Sequence, residues 1–267
     1  MIDLDFWPFF FLAIFGAIVA NATGAGGGVV FVPAFNLLGI GSDSIIATSF
    51  AIQCFGMTAG SIAWRRHANN QLQISKGALQ QAWEQYANLI LLFSVPALIG
   101  ICFGQYVLVL DQASEVKAIF KGFSALFGVS ILATSIFMAR RGSLLLDPVA
   151  FNGFGRGLAV IVALIGGMIT AWLSIGVGEL IAVMLILMRY PVRLAIGVAV
   201  SVSAICVWAG AQKYLWIEPH ISYDVLVFAA PAAIIGGTVA RHIVSIFSPL
   251  QVKVFIAVWI LISALAM

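Results

Sequence analysis

The chain has 267 residues, 63% of them hydrophobic and only 9% charged. A soluble domain carries about 25% charged residues, so a water-facing surface of ordinary size cannot be built here. The long apolar runs argue for helices over a barrel, and the fold class read from them is an all-α polytopic membrane protein. The net charge of +3 is too small to point to nucleic acid, which leaves the lipid bilayer as the first partner.

Ten apolar helical segments are predicted, at about residues 6–22, 29–40, 44–64, 85–107, 117–138, 157–173, 178–189, 193–212, 223–241 and 250–266. The acidic N-terminus lacks the basic region of a signal peptide, so the first run is read as a retained helix. It ends in Asn21-Ala-Thr-Gly-Ala-Gly-Gly-Gly28, a poor helix because each Gly costs about 1 kcal/mol relative to Ala. At about 1.5 Å per residue, the second and seventh segments are too short to span a bilayer, and each follows a Gly-rich break. The polar stretch from Ala68 to Gln81 is assigned to a cytoplasmic loop.

An offset of 150 positions aligns 6–64 with 156–214 without a gap. It places Gly26-x-Gly28 on Gly176-x-Gly178 and Ala59-Gly60 on Ala209-Gly210. Pro96-Ala-Leu-Ile-Gly100 likewise resembles Pro231-Ala-Ala-Ile-Ile-Gly236. The predicted organisation is a first repeat over 1–139, a cytoplasmic linker over 140–155 and a second repeat over 156–267. With the N-terminus outside, ten of the thirteen Lys and Arg fall on the inner side, two fall outside, and Lys121 lies within a helix. The positive-inside rule therefore predicts both termini outside. Five segments per half make the repeats inverted, the plan of many secondary transporters, which bind substrate near the midplane. The argument holds whether segments 1–2 and 6–7 span or re-enter.

The candidate site residues follow from this plan. The first break offers Asn21, Thr23 and the N–H groups of Gly26, Gly27 and Gly28 at the start of a short helix. The second offers Ser174, Gly176 and Gly178. A helix N-terminus with glycine N–H groups suits an anion, because its dipole is positive there and no side chain intervenes. Glycines that merely let helices pack closely are the alternative. Thr48, Ser49 and Gln53 on the third segment, and Ser201 and Ser203 on the eighth, are the next polar positions. Ser49 and Gln53 share a helix face, whereas Thr48 lies about 140° from Gln53. Gln53 either faces a ligand or bonds another helix, since an unpaired amide is expensive in hydrocarbon. Glu179 either carries a coupling proton or caps a helix start.

Cys54, Cys102 and Cys206 lie in apolar segments without metal-ligand spacing and read as packing residues; no metal or cofactor is expected. No βαβ unit or Gly-Lys-Ser/Thr accompanies the glycines, and no Gly-x-Ser-x-Gly or His-Glu-x-x-His occurs, so an enzyme is not expected.

The run Asn21-Ala-Thr-Gly-Ala-Gly-Gly-Gly, a short helix with Pro33, and Ile46-Ala-Thr-Ser-Phe50 resemble the TauE/SafE family of sulfite and organosulfonate exporters. The second half repeats the pattern as Gly176-Val-Gly178 and Ile196-Gly-Val-Ala-Val200. Ala47 stands where the family often has Gly, and Val198 replaces a hydroxyl, which leaves Thr48 unmatched. The resemblance implies a transporter of the bacterial inner membrane. Its expected substrate is a small sulfur-containing anion such as sulfite, sulfoacetate or a related organosulfonate, exported by alternating access. An anion channel and, more remotely, an intramembrane enzyme are the alternatives.

Overall fold

The computed structural model describes residues 6–110, 113–141 and 151–246, and residues 251, 254, 257, 258, 261 and 262 of the C-terminal segment. Most of the linker expected over 140–155 lies outside the described residues. In chain order the helices are α1 (Pro8–Thr23), α2 (Gly28–Leu37), α3 (Ser42–Ile74), α4 (Ala78–Glu84), α5 (Tyr86–Tyr106), α6 (Ala113–Arg141), α7 (Gly153–Leu173), α8 (Val177–Leu187), α9 (Val192–Gln212) and α10 (Tyr223–Ile246). A π-helical turn, Lys213–Ile217, extends α9. The described residues of the last segment are helical, and Gly128 of α6 faces Ala257 and Leu261 there.

Among the described residues, five stretches are long and apolar enough to cross a bilayer: Ser44–Ile74, Tyr86–Tyr106, Gly153–Leu173, Val192–Ile217 and Tyr223–Val244. With the three shorter apolar helices α1, α2 and α8, they make a multi-pass membrane protein. One boundary departs from expectation. α3 continues through Arg65, Arg66 and the amide-rich residues to Ile74, and α4 follows where a loop was assigned. Arg and Gln are good helix formers, and no Gly or Pro interrupts the run before Ser75, where the backbone turns extended at ψ 154°.

α3 and α9 are the most buried long helices. They meet where Trp208 Nε1 donates to Thr58 Oγ1 at 2.9 Å, between residues 150 positions apart. Contacts made twice with roles exchanged surround this pair. α1 packs along α10, and α7 along α5. Both contacts rest on glycines that let backbones approach. A Cβ on Gly236 would meet the Ile14 carbonyl, and one on Gly100 would meet the Leu164 carbonyl. Ile14 and Leu164 are again related by the 150-residue offset.

The two breaks also end alike. α1 terminates at Gly24 (φ 80°), whose N–H bonds the Ala20 carbonyl. α7 terminates at Ser174 (φ 59°), whose N–H bonds the Thr170 carbonyl. A left-handed residue after a helix is ordinary for Gly but costs Ser about 1–2 kcal/mol.

Candidate functional site

The breaks face each other at the centre of the bundle. A Cβ on Gly28 would lie 2.7 Å from the Ser174 carbonyl oxygen, and a Cβ on Gly178 would collide with the Gly24 carbonyl oxygen. The two approaches are equivalent under the repeat. Only glycine permits them, and they bring the start of α2 against the end of α7 and the start of α8 against the end of α1.

Two side chains tie the breaks across the repeats. Gln53, on α3, accepts from Gly27 N–H at 2.7 Å through Oε1. Its Nε2 donates to Ser174 Oγ at 2.7 Å, to the Ser174 carbonyl at 3.1 Å and to Ser49 Oγ at 3.1 Å. Ser49 Oγ in turn donates to Ser174 Oγ at 3.1 Å. Glu179, on α8, provides the reverse link. Its Oε1 accepts from Gly26 N–H at 2.9 Å and its Oε2 from Gly176 N–H at 2.8 Å. One carboxylate thus caps its own helix, as an N3 acid does, and also holds the opposite break. Ser49, Gln53, Ser174 and Glu179 are all buried.

The link is chemically asymmetric. Ser203 stands at the position equivalent to Gln53, and its Oγ lies against Gly178. The shorter side chain cannot make the reach that the amide makes, and Ser203 Oγ is buried without a hydrogen-bond partner among the described residues. A buried unpaired hydroxyl costs about 1–3 kcal/mol, and this one lies beside the start of α8.

Of the residues expected from sequence, Gly26, Gly27, Gly28, Ser49, Gln53, Ser174, Gly176, Gly178, Glu179 and Ser203 converge here. The N–H groups of Gly26 and Gly27, expected to face an anion, are engaged by Glu179 and Gln53. The remaining four lie elsewhere. Asn21 donates to the Ala17 and Gly56 carbonyls and lies against Gly60, so it serves the packing of α1 on α3. Thr23 Oγ1 bonds Ala20 and Ala25 locally. Thr48 Oγ1 accepts from Ser222 N–H at the start of α10, in keeping with its angular distance from Gln53. Ser201 Oγ bonds the Gly197 carbonyl and the Tyr86 and Ser61 hydroxyls. Ser61, Tyr86 and Ser201 line a cleft of about 520 Å³ between α3, α5 and α9, with Thr58, Arg65 and Trp208.

Sequence reading missed Thr170 and, Ser201 apart, the lining of this cleft. Thr170 Oγ1 accepts from Val177 N–H at 2.9 Å and fixes the turn before α8. Its counterpart Ala20 carries no such group, so the repeat gave no hint of it. No group of three or more His, Cys, Asp or Glu that could hold a metal ion occurs among the described residues.

No curated protein and no solved structure matches the chain. A family model described as "Sulfite exporter TauE/SafE" matches residues 9–267, which takes in both breaks and both cross-links. The chain therefore belongs to the TauE/SafE sulfite exporter family of membrane transporters.

Proposed function

We propose that this protein is a secondary transporter that exports a small sulfur-containing anion, such as sulfite, sulfoacetate or a related organosulfonate. The anion is held between the starts of α2 and α8 near the midplane. The observation that carries the reading is the meeting of two symmetry-related glycine breaks around a buried polar cluster, in a chain that is otherwise strongly apolar. Opposed helix starts supply N–H groups and positive dipole ends, and Ser203 supplies a hydroxyl donor, so the pocket needs no Lys or Arg. A sulfonate or sulfite oxygen fits these donors.

The position of the cross-links supports alternating access. Gln53–Ser174 and Glu179–Gly26 are bonds between halves, and their exchange for bonds to substrate frees one half to rock on the other. On this reading the repeats span 1–139 and 156–267. The Lys and Arg distribution puts both termini outside the inner membrane and gives the Arg65 cleft to the cytoplasmic half. For each net negative charge that crosses, an inside-negative potential favours exit by about 2.3 kcal/mol per 100 mV.

A thermal-shift screen of the purified protein with sulfite, sulfoacetate, taurine, sulfate and thiosulfate tests the substrate class. Sulfite or an organosulfonate should raise the melting temperature, by RT ln(1 + [L]/Kd) in free energy. Stabilisation by none of them, or by sulfate alone, contradicts the assignment.

A further inference from the structure

Resting on that reading of the site, we propose that Glu179 is a resident anion which the substrate displaces, so that binding a sulfonate takes up one proton. Gly26 N–H and Gly176 N–H, one from each break, both point at Glu179 oxygens at 2.9 and 2.8 Å. These are the donors that an anion between the helix starts needs. A second negative group cannot share them, because two anions a few ångströms apart repel strongly in a water-poor interior.

Among the described residues the surroundings offer the displaced charge no cation. α7 presents Thr170, which already bonds Val177 N–H and the Gly166 carbonyl. α9 presents Ser203, α3 presents Gln53 and Ser49, and the opposite break presents backbone. Lys117, Lys121 and Glu115 of α6, which also touches α8, are exposed. Among the described residues no cation faces the site, so the carboxylate can give up its two N–H groups to an anion only as the neutral acid. The proton comes from solvent and stays on a Glu179 oxygen. One negative charge leaves the side chain as one arrives on the ligand, and the net charge of the pocket is unchanged.

Sequence asymmetry agrees with a single coupling group per molecule. The repeat position equivalent to Glu179 is Val29, so the device exists in one half only.

The test uses methanesulfonate, whose own charge does not change near neutral pH, on the full-length protein in detergent. Isothermal titration in two buffers of different ionisation heat counts protons taken up with the anion. At alkaline pH the count should approach one, and Kd should rise tenfold per pH unit. Glu179→Gln, neutral at every pH, should bind with a pH-independent Kd and tighter than the unmodified protein at alkaline pH. A proton count of zero with binding intact overturns the role of Glu179 and leaves the anion site standing, and so does an unchanged pH slope in Glu179→Gln. The calorimetric count needs no variant, so poor folding of Glu179→Gln does not remove the test. Failure of both proteins to bind methanesulfonate, sulfite or sulfoacetate at any pH overturns the anion site itself, and this inference with it.

Discussion

Ser174 is the position where stability and function should separate most cleanly. Its backbone is left-handed at φ 59°, where its repeat partner is Gly24 at φ 80°. Keeping an L-residue there costs about 1–2 kcal/mol, and glycine returns about 0.5–1 kcal/mol of that through its freer unfolded chain. Ser174→Gly should therefore be more stable than Ser174→Ala by about 0.5–1 kcal/mol. In a chain of this size that is a difference of about 2 °C in melting temperature. Both variants lose the hydroxyl that Gln53 Nε2 reaches at 2.7 Å and Ser49 Oγ at 3.1 Å. Gln53 keeps its bond to the Ser174 carbonyl, so this loss costs each variant only about 1 kcal/mol. If the strain is retained to place a hydroxyl at the anion site, both variants should bind sulfite or sulfonate about tenfold more weakly, the worth of about 1.4 kcal/mol. Thermal unfolding in detergent, with and without ligand, reads both effects. The reasoning is refuted on its stability side if Ser174→Ala is the more stable of the two. It is refuted on its functional side if Ser174→Gly binds as the unmodified protein does.

Gly28→Ala and Gly178→Ala should cost stability alike, by about 1–3 kcal/mol, because each puts a methyl group against a carbonyl oxygen of the opposite break. A pair in which one change is neutral would show that the two approaches are not equivalent, and parallel melting curves check it. Reporter tags fused at the two termini should both report an external location. A cytoplasmic C-terminus would remove the odd number of segments per half and with it the inverted arrangement.

The fold was legible to the extent that chemistry repeats along the chain. The glycine runs at 24–28 and 176–178, the short helices after them and the 150-residue offset were visible because lipid allows so few ways to break a helix. The end of α3 was misplaced because charged and amide residues were read as loop, although Arg65 to Ile74 contains no helix breaker. Within the site, Ser49 and Gln53 could be paired from their spacing, and Thr48 could be set apart by the same rule. The partner of Glu179 could not be found this way. Its bond to Gly26 spans 153 residues and depends on how two halves interlock, which no local pattern encodes. The place of Asn21 was hidden for a related reason: its amide, a candidate site group by sequence, sits against Gly56 and Gly60, a contact that no local pattern shows.

Counterflow in proteoliposomes tests the central claim most directly. Vesicles loaded with unlabelled sulfite or sulfoacetate and diluted into labelled anion should accumulate label transiently above equilibrium, because a carrier with one alternately exposed site exchanges faster than it returns empty. Uptake that is indifferent to the anion on the far side would contradict alternating access and point to a channel.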